Sequence, residues 1–62
     1  MSESFKLKGG QKEYDNYINA LKVAEAKAEQ KEEPVEVCKK ELEEYNELVR
    51  VFPDGSQEKL EN

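Results

Sequence analysis

Histidine is absent from this chain of 62 residues, cysteine occurs once, and there are only two prolines and three glycines. Without histidine the sequence lacks the side chain most used as a general base near neutral pH and as a metal ligand. A single thiol, Cys38, closes no internal disulfide, and one Cys without His leaves a structural zinc site short of ligands. No apolar run approaches the length of a membrane span, and no apolar segment near the N-terminus reads as a leader. The thiol and these absences set the expectation of a cytoplasmic protein. There is also no Gly-rich phosphate loop and no nucleophile beside a base. The sequence therefore nominates no catalytic, cofactor-binding or metal-binding residue, no small-molecule substrate, and no enzyme activity.

Apolar residues are in short supply as well. They make up 35% of the chain against 40% charged residues, with a net charge of −5. An acidic surface repels nucleic-acid phosphates and anionic lipid, so neither a membrane nor direct nucleic-acid binding is expected. A domain this small rarely retains more than about 3–5 kcal/mol of net stability without a staple. With disulfide and metal excluded, self-association or a permanent partner is the remaining means of support.

What is present is periodicity. Between Gln11 and Glu33, Tyr14, Tyr17, Ile18, Leu21, Ala24 and Ala28 recur at helical spacing, and "ALKVAEAKAEQKEE" consists largely of strong helix formers. From Pro34 onward, Val35, Cys38, Leu42, Tyr45, Val49 and Phe52 follow a three-then-four rhythm. Pro34 suits the first position of a second helix, and Pro53 ends it. The expected fold is all-α: an antiparallel helical hairpin with helices at about 11–33 and 34–52. Residues 1–10 would form an extended arm or short strand, and 53–62 a turn and flexible tail. Two hairpins would dimerise into a four-helix bundle, covering a face that Leu48 and Val51 widen.

Two other readings stand beside the hairpin. The apolar phase continues backward through Lys31, Ala28, Ala24, Leu21, Tyr17 and Tyr14, as in one long helix kinked at Pro34 and forming a coiled coil. Against that, an interior proline costs about 3 kcal/mol. A third reading takes "LVRVF" as a strand pairing with "FKLK", because Val49 and Val51 alternate as Phe5 and Leu7 do. The unbroken helical stripe through Phe52 argues against it.

The expected core or interface comprises Tyr14, Tyr17, Ile18, Leu21, Val35, Cys38, Leu42, Tyr45, Leu48, Val49 and Phe52. Cys38, near a helix start and beside Lys39 and Lys40, has some features of an activated thiol. Its place on the seam reads instead as small apolar filler. The tyrosines lack the positive groove of a base-stacking surface and suit a packed seam with a wet edge. The carboxylates between Glu25 and Glu47 match neither a glycosidase pair nor a calcium loop. Lys6, Lys8 and Lys12 form a small basic patch too short to be specific. The functional expectation is a non-catalytic protein–protein interaction module (an adaptor, assembly factor or regulator) acting on itself as a homodimer or on another protein. The alternative is an acidic, nucleic-acid-mimicking inhibitor of a DNA- or RNA-binding protein, although Lys22, Lys27, Lys31, Lys39 and Lys40 interrupt its negative field.

Overall fold

In the computed structural model, which describes residues 3–60, the chain is not an all-α hairpin. Among those residues, five antiparallel strands form one sheet, and a single helix lies across one face of it. The strands are β1 (Ser4–Leu7), β2 (Glu13–Tyr14), β3 (Val35–Glu41), β4 (Glu44–Val51) and β5 (Gln57–Lys59), and the helix is α1 (Tyr17–Lys31). Their order across the sheet is β2-β1-β3-β4-β5. Because β1 is antiparallel to both β2 and β3, those two run parallel, and β2-α1-β3 is a crossover with β1 inserted in its middle.

The N-terminal alternation forms the first hairpin. Phe5 and Leu7 are buried while Ser4 and Lys6 lie on the opposite face. Gly9, at φ +82°, takes the chain out of β1, and the Gly10 N–H donates to the Leu7 carbonyl at 2.9 Å. α1 starts where Asn16 Oδ1 accepts from the Ile18 N–H at 2.7 Å, an N-cap. It ends with Lys31 in its last turn and Glu32 in the left-handed region at φ +55°. Pro34 follows, and it opens a strand where the sequence predicts a second helix.

The expected second helix is instead the β3–β4 hairpin. Val35, Val37, Val49 and Val51 are β-branched residues that pack well on a pleated surface. Val35 pairs with Val51 and Val37 with Val49, but Cys38 then pairs with Glu47, leaving Leu48 as the extra residue of a β-bulge. That insertion places Leu48 and Val49 consecutively against the core and sends Glu47 and Tyr45 to the opposite face. "LVRV" does lie in a strand, with Phe52 just beyond its end, but β3 separates it from β1. The tail is corrected too: beyond the turn at Pro53, residues 57–59 pair with β4 as β5. In that turn Gly55, at φ +94°, donates to the Phe52 carbonyl, and Asp54 Oδ1 accepts from the Ser56 N–H and hydroxyl.

The core is one thin layer between helix and sheet. Ala20, Ala24 and Ala28 are fully buried, one turn apart along α1, and the first two cluster with Phe5, Leu7, Val37, Val49 and Val51. Their small side chains let the helix axis come close to the sheet. Tyr17, Leu21 and Val23 close the flanks, with the Tyr17 ring edge-on to Phe5 at 5.7 Å. Among the described residues, no helix is long and apolar enough to cross a membrane.

Candidate interaction surface

The face of the sheet away from α1 is covered by rows of charge. Lys8, just past β1, and Glu36, Arg50 and Glu58 on β3, β4 and β5 form a row of alternating sign, linked at 3.4, 3.3 and 3.1 Å. Lys8 Nζ also donates to Glu47 Oε2 at 2.9 Å. This bond, with Glu36 adding its charge, raises the Lys8 pKa, and Lys8 in turn lowers that of Glu47. Lys6 Nζ lies 4.8 Å above the centre of the Tyr45 ring. The Tyr45 hydroxyl donates to Glu13 Oε1 at 3.3 Å, which also accepts from Ser4 Oγ at 2.9 Å. These bonds and the charge of Lys40 lower the Glu13 pKa, while desolvation and the Glu13 charge raise that of Tyr45. The N-terminal lysine patch is thus engaged within the fold: Lys12 Nζ too lies over a ring, 5.4 Å from the centre of Tyr14.

Cys38 sits beneath these rows, buried, in the middle of β3 rather than at a helix start. Burial raises its pKa first, and the charges of Glu47 and Glu36 raise it further. The helix start that suggested an activated thiol is not there, and the nearby lysine charges of Lys8 and Lys6 are outweighed by burial and the carboxylates. Among the described residues, no three His, Cys, Asp or Glu side chains converge into a metal-binding group.

The apolar positions nominated from the sequence divide into three sets. Val49 and Cys38 are buried; Tyr14, Tyr17, Leu21, Val35, Leu48 and Phe52 are half-buried. Ile18, Tyr45 and Leu42 are 55%, 40% and 95% exposed. The three exposed side chains lie toward one end of the molecule, where α1 begins and the β3–β4 hairpin turns. Sequence reasoning left Phe5, Leu7, Ala20 and Val37 out of the core, although the alternation of Phe5 with Leu7 was the signal for the first two.

At that end the β3–β4 hairpin forms an arm. Among the described residues, β1 reaches no farther than Ser4 opposite Lys40, and β5 stops at Lys59 opposite Val49. Residues 40–47 are exposed, and the pair Glu41–Glu44 forms the last rung before a two-residue turn. Leu42 occupies the first turn position at φ +58°, a region in which a residue other than Gly, Asn or Asp is costly. Glu41, Glu43 and Glu44 surround it in sequence. On the inner face at the root of the arm is an open cleft of about 430 Å³, with Phe5, Tyr17, Leu48 and Val49 as its apolar lining. Lys39, which pairs with Glu3 at 3.0 Å, and Lys59 stand at its edge. Comparison with protein-family models, curated proteins and solved structures finds no match to this chain.

Proposed function

We propose that the protein is a non-catalytic protein–protein interaction module acting through the tip of its β3–β4 arm. The apolar helix face first expected to make the contact is spent on the chain's own sheet, so the tip replaces it as the contacting surface. The observation that carries the reading is Leu42, a large apolar side chain 95% exposed on a backbone at φ +58°. Local chemistry favours Gly or Asn there and hydration favours a polar residue, yet the position holds neither. A strained, exposed apolar residue has its use outside the chain.

The charged face supports the same reading by elimination of alternatives. Lys8, Glu36, Glu47, Arg50 and Glu58 bind one another in a closed network, which leaves those carboxylates poorly placed either for acid–base chemistry or to imitate a phosphate row. A cytoplasmic setting belongs with this reading, since a reducing compartment keeps a lone thiol such as Cys38 single.

The test is photo-crosslinking in cells from two positions. A photoreactive residue in place of Leu42 captures a protein; one in place of Gln30, exposed on the far side of α1, does not. Capture at neither position, or equally at both, overturns the proposal.

A further inference from the structure

We propose that the partner of the arm is a second copy of this chain, with Leu42 of each protomer seated in the inner-face cleft of the other. This rests on the interaction-module reading above and gives it an occupant. The argument is complementarity between two features of one molecule. The cleft has apolar walls from Phe5, Tyr17, Leu48 and Val49; at its edge Lys39 is paired with Glu3, and Lys59 adds a second, exposed cation. The knob is a leucine carried between Glu41 and the pair Glu43 and Glu44. Apolar surface thus meets apolar surface, and the carboxylates beside the leucine meet the Lys59 ammonium.

The knob does not reach its own cleft. Leu42 lies at the far end of paired strands whose register is fixed down to Glu41–Glu44, and it is 95% exposed. A second copy supplies knob and cleft together. Two arms related by a two-fold axis give each cleft one leucine, and the arrangement closes at two chains. The area required is modest. A specific interface of about 1,000 Å² in total takes about 500 Å² from each chain, roughly a tenth of the 4763 Å² that one chain exposes. An interface at that lower size limit gives a reversible dimer.

Sedimentation equilibrium of the full chain, from about 10 μM to about 1 mM, tests this. The wild type forms a monomer–dimer equilibrium within that range. Leu42→Asn keeps a residue that tolerates the left-handed turn and removes the apolar knob, so dimerisation weakens about tenfold or more. Lys59→Glu and Glu43→Lys, both at exposed positions, each place like charges across the contact twice and weaken it similarly. Mixing those two charge-reversed chains restores dimerisation, because each then meets the opposite charge at both contacts. Circular dichroism checks that each variant is folded. A wild type that stays monomeric to about 1 mM overturns the proposal, as does a dimer indifferent to Leu42→Asn or a mixture that does not recover. In the crosslinking experiment, an adduct of Leu42-labelled chain with a different protein, and none of twice the chain's mass, sinks this proposal while sparing the broader reading.

Discussion

Among the described residues, two that are not glycine lie in the left-handed region, Glu32 at φ +55° and Leu42 at φ +58°, and the comparison between them separates tolerated strain from strain with a use. Each forgoes about 1–2 kcal/mol relative to a residue without a Cβ, offset in part by the extra chain entropy that glycine loses on folding. Both side chains are exposed, so truncation forfeits little packing. Glu32→Gly and Leu42→Gly are each expected to raise stability by about 1 kcal/mol, shifting the melting temperature by about 4–8 °C in a domain of this size. The two differ in association: Glu32→Gly leaves it intact and Leu42→Gly abolishes it. Thermal melts alongside sedimentation check both, and a Leu42→Gly chain less stable than wild type would contradict the strain. Cys38 behaves in the opposite way from an exposed thiol. Burial and two nearby carboxylates hold it protonated, so a disulfide reagent at pH 8 reacts with it far more slowly in the folded chain than in urea.

At the scale of the element, the alanine line of α1 is the sharpest constraint. Ala20, Ala24 and Ala28 are fully buried, and Ala20 and Ala24 cluster with the valines of the sheet. Ala24→Leu, which raises apolarity and keeps helix propensity, is expected to destabilise by about 1–3 kcal/mol or more by forcing helix and sheet apart. Urea denaturation reads this directly; a neutral Ala24→Leu would mean the helix is held less closely than the burial indicates. The same element explains what the sequence allowed to be read. Its helix formers and its small-residue stripe point one way, and α1 was legible, although it begins at Tyr17 and not near residue 11, Tyr14 belongs to β2, and its stripe meets a sheet and not another helix. The β3–β4 hairpin was hidden for two physical reasons. "KKELEEYNEL" is composed of good helix formers, and the pairing of its two halves with each other, continuing the valine-rich root of the hairpin, overrides that local preference. The bulge at Leu48 adds one residue to the alternation, so the inward positions Val35, Val37, Leu48, Val49 and Val51 fit no period of two, while Val35, Cys38, Leu42, Tyr45 and Val49 fit a helical one by coincidence. The tip itself was half legible. Leu42 was singled out as apolar and important, but its exposure follows from the turn, and the turn carries no Gly or Asn to announce it.

For the whole molecule, the charge network on the open sheet face makes stability a function of pH in a predictable direction. Lys8 holds Glu47 ionised, the hydroxyls of Ser4 and Tyr45 do so for Glu13, and Ser56 does so for Asp54, so all three carboxyls have lowered pKa values. Unfolded, they take up protons at higher pH than they do when folded, and stability present above the ordinary carboxyl range is lost as pH falls through it and below. The alkaline side has the opposite origin. Cys38, Tyr45 and Lys8 have raised pKa values, from ordinary values of 9.0, 10.0 and 10.5. The unfolded chain releases these protons first, so stability is full below the unfolded thiol value and declines as pH rises beyond it. Urea midpoints measured across pH are therefore expected to form a plateau between the carboxyl range and the thiol value, falling on both sides. Lys8→Ala removes one of the alkaline contributions and restores Glu47 toward its ordinary titration, so it flattens both limbs at once. Because these groups are solvent-exposed apart from Cys38, added salt shrinks the acid limb as well. A midpoint that does not change between the plateau and the acid side, or a Lys8→Ala chain with an unaltered profile, would show that the rows of charge contribute nothing to the fold and that the helix-to-sheet contact holds it alone.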